Sequence, residues 1–379
     1  MPQDPTATSD VAVIGGGVIG LAVAWRAAGQ GHSVCVLERG ELGAGASHVA
    51  AGMLAPVTEA DAGELALLEL GLRSARDWPA FAAGLAEAAG TDPGLRTGGA
   101  LVVARDRDEA EALERELALR TALGLDVQRL LPSAARRLEP ALAPTVRLAL
   151  HVPGDHCADP RALVLALAEA ARRTGVTLRT GTPVERVESR DGHVTGVALG
   201  GGEIVPARQV VVAAGAWSGA IEGLPRIPLR PVKGQILRLR DPAGAGLLER
   251  IVRFDGGYLV PRGDGRYVLG ATMEERGFDT TVSAGGVYEL LRDAGELVPG
   301  VHELVIEEAS AGLRPATPDN APLLGPSGEL DGLHWATGHH RNGILLTPVS
   351  AEIVAGALEP GGAPAPAAFA AARFQGVHA

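Results

Sequence analysis

The stretch VAVIGGGVIGLAVAWRAAGQGHSVCVLE, residues 11–38, decides the fold. Val11–Ile14 reads as a buried strand, Gly15, Gly17 and Gly20 as a turn, Leu21 to about Ala28 as a helix, and Val34–Leu37 as a second strand ending on Glu38. Each part has a task in gripping a dinucleotide. Gly15 permits a tight turn out of the strand. Gly17 has no side chain, so the backbone can close on a pyrophosphate. Gly20 lets the helix settle tightly on the strand. The helix N-terminus aims unpaired N–H groups and a partial positive charge at the phosphates. Glu38 stands where a carboxylate accepts hydrogen bonds from adenosine ribose hydroxyls. A glycine-rich structural turn is the plain alternative; the order strand, turn, helix, strand, acid favours the dinucleotide.

With 379 residues, 46% of them apolar, the chain can bury a large core and suggests about two domains. A net charge of −11 with no long basic run argues against nucleic acid or an anionic membrane as partner. No apolar run reaches the roughly 18 residues needed to span a bilayer. Met1–Asp10 is polar, contains proline, and is not read as a signal peptide. Two cysteines give no disulfide framework. Cys35, inside the second strand, reads as a small buried hydrophobe. These features together imply a cytoplasmic protein.

Beyond Glu38, the small residues of 43–47 and 49–54 suggest a segment pressed against something flat, with a flexible loop as the alternative. Leu65 to Ala89 reads helical, with Leu65, Leu68, Leu72 and Ala75 as its stripe, and Pro79 is expected to end or kink it. Leu101–Val103 is a short strand and Asp108 to Leu123 a charged helix with a solvated face. Asp159 and Pro160 look like the cap and first residue of a helix that stops at Gly175. Thr177–Arg179, Val184–Glu188, Val194–Leu199 and Glu203–Pro206 read as strands, with Asp191–Gly192 a hairpin turn. Gln209 to Trp217 reads as a buried strand closing on small residues and an aromatic, and it returns the chain to the first parallel sheet. From Pro231 the pattern turns antiparallel, with strands at Ile236–Leu239, Tyr258–Val260, Tyr267–Leu269 and around Leu304–Glu307, and a helix at Val287–Leu297. His334–Ala336 leads into a turn, and a last helix begins at Thr347–Pro348. The tail 361–368 is alanine- and proline-rich and is expected to be disordered. His151, His156, Cys157 and Asp159 fit no standard zinc spacing, so no metal is expected.

A nicotinamide enzyme usually completes its Rossmann domain with consecutive βα units, whereas here the first unit stands alone. That interleaving resembles the D-amino-acid oxidase family of FAD-dependent amine oxidoreductases, and within it the glycine oxidases. The matching segments are Val13–Gly20, Ala50–Leu54 (AAGML), Pro231–Gln235 (PVKGQ), Gly270–Met273 (GATM), Ala311–Thr317 (AGLRPAT) and Gly338–Leu346 (GHHRNGILL). They spread over nearly the whole chain. The first is common to many flavoproteins; the last two are far more discriminating. The resemblance implies an α/β fold in which a Rossmann-like FAD-binding domain (1–80, 145–230 and 310–379) is interleaved with a smaller α+β substrate domain on an antiparallel sheet (81–144 and 231–309). It implies FAD lined by Gly15, Gly17, Val18, Ile19, Gly20, Glu38, Arg39, Ala46, Ser47, Ala51, Gly52, Met53 and Val184. The turn His339, His340, Arg341, Asn342, Gly343, Ile344 and Leu345 would pass beside the flavin ring. Some monomeric members bond the flavin through a cysteine; neither Cys35 nor Cys157 sits in such a segment, so the FAD is expected to be noncovalent.

Oxidising a small amino acid at its α-carbon requires that its carboxylate be neutralised and oriented. Arg314 is the first choice, because a guanidinium offers a planar fork that matches a carboxylate. The family match places it there too. Tyr258 could add a phenolic hydrogen bond, or be a cross-strand core tyrosine. Arg341 resembles a residue beside both flavin and substrate, and the backbone of its turn could stabilise negative charge on the reduced flavin. Met53 and Met273 would wall the pocket, or be core methionines. No general base is nominated, since a neutral amine can give up hydride directly. Residues 254–257 (FDGG) depart from the resembling type, which has bulkier imidazole-bearing residues there, and this leaves pocket size and substrate range open. The expected reaction takes glycine and O2, through the imine, to glyoxylate, ammonia and hydrogen peroxide, feeding the thiazole half of thiamine in relatives. Rivals are oxidation of sarcosine or small D-amino acids, a dehydrogenase using another acceptor, a tRNA-modifying relative, and a non-catalytic dinucleotide-binding module. The resemblance also carries a homo-oligomer, a tetramer in relatives.

Overall fold

The computed structural model describes residues 8–244 and 246–374; most of the Met1–Asp10 leader lies outside them. In chain order the first unit is β1 (Ser9–Ile14), α1 (Val18–Gly29) and β2 (Val34–Leu37). Helix α1 starts three residues before the sequence reading, so Val18 to Gly20 form its first turn. A short α2 (Ala46–Val49), β3 (Met53–Leu54) and the long α3 (Leu65–Ala89) follow. Next come β4 (Leu95–Arg96), β5 (Ala100–Ala104), α4 (Arg107–Ala122), β6 (Gln128–Leu130), α5 (Pro132–Leu138), β7 (Leu148–Val152) and β8 (His156–Ala158). The chain then returns through α6 (Pro160–Arg173), β9 (Thr177–Arg179), β10 (Val184–Arg190), β11 (His193–Leu199) and β12 (Ile204–Val212). The second excursion is β13 (Arg230–Arg240), β14 (Ile251–Phe254), β15 (Gly257–Pro261), β16 (Arg266–Gly270), α7 (Ala284–Leu297) and β17 (Val305–Ala316). It closes with β18 (Leu323–Pro326), β19 (Leu333–Thr337) and α8 (Thr347–Leu358).

The first sheet runs β10-β11-β12-β1-β2-β9, with β19 on β12 and β18 on β19. Strands β9, β2, β1, β12 and β19 are parallel, as crossover connections demand. Helices α1, α3, α6 and α8 bury their apolar faces against one another and this sheet. Asp159 caps α6 by accepting the Arg161 N–H at 3.0 Å, and Asp191 and Gly192, both at positive φ, turn the β10–β11 hairpin. The second sheet runs β17-β13-β16-β15-β14-β5-β7-β6 and is antiparallel except where β14 meets β5. Its own core lies under α7 and α5. Strand β7 belongs to this second sheet, and β17 runs past residue 310 within it.

Four local expectations give way to tertiary context. Pro79 neither ends nor breaks α3. It sits on the solvent side, while Trp78 and Phe81 are buried and stack edge to face at 5.4 Å, so burial on either side outweighs the lost backbone bond. The stripe of α3 is Leu68, Gly71, Ser74, Trp78 and Leu85, and Leu65 is 47% exposed. The two strands read around 203–206 and from 209 onward are one, β12 (Ile204–Val212), whose first half pairs with β11 and whose second half pairs with β1 and β19. The tail is ordered: 367–369 form a 3-10 turn that buries Phe369, and Ala365 joins the same core. The charged helix α4 also buries one of its charges, Arg120. Among the described residues no helix is long and apolar enough to cross a membrane.

Candidate active site

A cleft of about 1560 Å³ runs between the two sheets. At one end lies the glycine turn. Gly15 has φ +108°, and a Cβ there would fall 2.4 Å from the Ala213 carbonyl oxygen, so only glycine lets β1 turn beside β12. Helix α1 opens at Gly17 with no cap from its own first residues. The Ser47 hydroxyl approaches instead and accepts the Val18 N–H at 3.1 Å. Glu38 ends β2 with its carboxylate on the cleft wall, accepting the Gly16 N–H at 2.7 Å and the Gly40 N–H at 2.9 Å. It therefore braces the turn and keeps lone pairs free for ribose hydroxyls. Arg39 lays its guanidinium over the Trp217 ring at 3.7 Å from the centroid.

At the other end lies the face of the second sheet. Arg314 on β17 faces Val232 on β13 and reaches across Gly234, where a Cβ would fall 2.4 Å from both terminal nitrogens. Its Nη1 donates to the carbonyls of Thr272, at 3.1 Å, and Lys233, at 3.3 Å. These bonds aim the fork without neutralising it. Tyr258 leans over Gly270 and abuts Arg314. Burial pushes its phenol above the usual range while Arg314 opposes the shift, so the hydroxyl remains a donor. Met53 and Met273 lie on the same wall, Met273 at a 64% exposed edge.

The turn before α8 closes the cleft between these ends. Its backbone hangs on two elements. The His340 N–H donates to Pro315, the neighbour of Arg314, at 2.8 Å. The Leu345 carbonyl accepts from Ser74 at 2.6 Å and from Trp78 Nε1 at 2.8 Å, both on α3. His340 has φ +47° and both ring nitrogens unpartnered. Burial, then Arg314, Arg341 and Arg230, pushes its pKa down to about 4. His339 turns inward to the Ser350 hydroxyl at 2.9 Å, and burial lowers it to about 3. Arg341 pairs with Glu59 at 3.5 Å.

Of the residues expected at the cofactor, Gly15, Gly17, Val18, Ile19, Glu38, Arg39, Ala46, Ser47, Ala51, Gly52, Met53, Val184, His339, His340, Arg341, Asn342, Gly343 and Ile344 line the cleft. Arg314, Tyr258 and Met273 share it. Gly20 and Leu345 are not on its wall. A Cβ on Gly20 would fall 2.0 Å from the Gly15 carbonyl, so it serves the tight helix–strand contact, and Leu345 is buried beneath α3. Glu59, Trp217, Gly234 and Arg253 also line the cleft and were not anticipated. Only Gly234 carried a signal, its place in the PVKGQ segment. The glycine cradle, the helix start at Gly17 with no side chain of its own over it, the acid at the end of β2 and the unpartnered His340 ring fit a flavin dinucleotide. The buried thiols Cys35 and Cys157 lie off the cleft wall; burial raises both, Cys35 to about 11.

This arrangement defines a flavin-dependent oxidoreductase. Residues 10–357 match the model of the FAD dependent oxidoreductase family, and the chain belongs to that family. It is 38% identical to the glycine oxidase of Geobacillus kaustophilus over 92% of this chain and 93% of that one. The crystal structure of glycine oxidase from that organism superposes with a TM-score of 0.89 at 37% identity, covering 97% of this chain and 99% of the other. The bifunctional protein ThiO/ThiG of Trichormus variabilis is 36% identical over 92% of this chain, which spans 52% of that longer protein. The iminodiacetate oxidase structure from Chelativorans sp. BNC1 gives a TM-score of 0.86 at 30% identity, over 95% and 98% of the two chains. The protein is thus an FAD enzyme.

Proposed function

We propose that this chain is a glycine oxidase, converting glycine, water and O2 to glyoxylate, ammonia and hydrogen peroxide. The observation that carries the reading is Arg314, a guanidinium fixed by two carbonyls, beside Tyr258, with no carboxylate partner among the described residues. FAD, when bound, supplies the two-electron acceptor. The α1 N-terminus, Glu38, Ser47 and the turn 338–346 would hold it. Arg314 takes the substrate carboxylate through its planar fork, and Tyr258, kept protonated by burial, donates a second bond. Burial, reinforced by Arg314, Arg341 and Arg230, strips His340 of its proton, and the same surroundings favour the neutral form of the substrate amine, which can release hydride without a protein base. Turn N–H groups and the α8 N-terminus stabilise the negative charge that accumulates. Removing one donor from such a site typically costs about 2.7–4 kcal/mol.

The reading gives the first sheet to cofactor and the second to substrate, with β7 and all of β17 on the substrate side beyond the spans read from sequence. A cytoplasmic, oligomeric enzyme serving thiamine thiazole formation belongs to the same proposal. A second reading, oxidation of sarcosine or another N-substituted amine, is favoured by Gly256 and Gly257, which place no bulk beside Tyr258. Purified protein should release FAD on denaturation, and anaerobic glycine should bleach its visible absorbance. If none of glycine, sarcosine, D-alanine or D-proline bleaches it, the proposal fails. Peroxide formation separates an oxidase from a dehydrogenase.

A further inference from the structure

The segment from Ala46 to Met53 runs along the cleft wall. Two of its carbonyls are fastened from behind by arginines of the second sheet. Arg238 on β13 donates to the His48 carbonyl at 2.6 Å. Arg262, in the turn between β15 and β16, donates through Nη2 to the Ala51 carbonyl at 2.6 Å. Arg262 is 2% exposed, and its Nε and Nη1 find no acceptor among the described residues. Its only ion-pair partner among them, Asp159, lies 4.0 Å away and is shared with Arg266 at 3.7 Å. The same carboxylate already accepts the Arg161 N–H at the start of α6. A buried cation matched this poorly costs stability, so its presence calls for a reason.

The bond to Ala51 decides what faces the cleft. In a trans peptide the C=O and N–H point in opposite directions. Drawing the Ala51 carbonyl back to Arg262 therefore turns the Gly52 N–H away from it, on the wall that Ala51 and Gly52 line. This N–H has no acceptor among the described residues. The Gly52 carbonyl is taken in turn by the Ala158 N–H at 2.8 Å. Gly52 has φ +80°, and a Cβ there would fall 2.0 Å from the Ala158 carbonyl oxygen, so the bend requires glycine. Met53 then pairs with Cys157 between ladder bonds, which points its N–H away from β8, and β3 has no strand on that other side. Two adjacent backbone donors are left open where the segment lines the cleft.

We infer, resting on the amine-oxidation reading, that Arg262 is a positioning residue for the flavin. From behind Ala51 it sets the Gly52 and Met53 N–H groups toward the cofactor, and its unmatched charge polarises that peptide and strengthens both donors for the negative charge of the reduced ring. A neutral donor in its place would hold the peptide without polarising it.

Two measurements on the FAD-loaded enzyme need no amine. One is sulfite affinity, because sulfite adds reversibly to an oxidised flavin and leaves it negatively charged; the other is the midpoint potential against a reference dye. Arg262→Gln keeps an N–H for Ala51 and removes the charge. Its sulfite Kd should rise about tenfold, and its reduction equilibrium should fall by the same factor, about 30 mV for a two-electron couple. Arg262→Lys keeps the charge and should stay within about threefold of wild type on both. Asp159→Asn keeps a cap for α6 and removes the opposing charge, so both should shift the other way, with sulfite binding several-fold tighter. KM for glycine, set by Arg314 on another strand, should stay within about twofold in each variant. Unchanged sulfite affinity and potential in Arg262→Gln, equal losses in the Gln and Lys variants, or weaker sulfite binding in Asp159→Asn overturns the inference. Should Arg262→Gln fail to fold, the sign of the Asp159→Asn shift decides. If no amine bleaches the wild-type flavin, the amine-oxidation reading has failed, and both measurements still report on Arg262 separately.

Discussion

Gly234→Ala should disable the carboxylate fork without touching it. The methyl group would stand 2.4 Å from both terminal nitrogens of Arg314 and 2.6 Å from Cζ, where ordinary contact begins near 3.4 Å. The guanidinium must therefore retreat by about 1 Å, and a misplacement of that size can cost on the order of 100-fold in kcat/KM. That corresponds to roughly 2.7 kcal/mol of lost transition-state stabilisation. Overpacking would cost about 1–3 kcal/mol in stability. A stable protein with poor affinity is expected, because the clash falls on the far end of a flexible side chain. The assay is steady-state oxidation of glycine by Gly234→Ala, Arg314→Ala and the double variant. If glycine 234 acts through the arginine, the double variant should be no worse than Arg314→Ala alone, a strongly non-additive cycle. Additive losses, or an unchanged KM in Gly234→Ala, would refute the reasoning.

Other perturbations test the remaining parts of the cleft. Glu59→Gln removes a partly exposed negative charge beside Arg341, so KM for glycine should fall by a few-fold, in line with about 0.5–1 kcal/mol for such a pair; a rise in KM would contradict this. Trp217→Ala takes away the ring beneath Arg39 and should weaken FAD retention by about 0.5–2 kcal/mol, followed as flavin fluorescence on dilution. The histidine pKa shifts predict acid lability. His339 and His334 are held neutral, at about 3 and about 4, below an unfolded value of 6.5. The unfolded chain therefore binds more protons below pH 6.5, and stability falls as pH drops from there toward 4. Asp155, raised to about 6 from 3.8, acts in the opposite sense over a narrower window. Tm should fall between pH 7 and pH 5, and His339→Gln should flatten the slope. A flat wild-type profile would count against buried neutral imidazoles.

What the sequence disclosed depended on how local each cause was. The unit β1–turn–α1–β2 was legible because each residue acts on its chain neighbours: Gly15 on its own φ, Glu38 on the end of its own strand. Arg314 was legible through its motif. The requirement for Gly234 arises from a side chain brought over it by strand pairing, and no local pattern encodes that. Glu59 sits in an irregular segment and meets Arg341 only after the chain has closed. Pro79 obeyed a local rule that burial of Trp78 and Phe81 overrode. The tail looked disordered by composition, yet Phe369 finds a place in the core.

The parallel contact between β5 and β14 also bears on biosynthesis. Strands β5, β6 and β7 emerge from the ribosome as a three-stranded leaf whose β5 edge has no partner. The strand that covers that edge is made about 100 residues later, some 5–20 s at ordinary elongation rates. During that interval a row of Ala, Leu and Val residues offers open backbone groups to any passing strand. Recombinant yield should therefore respond to translation speed and chaperone supply across the segment between Val152 and Ile251.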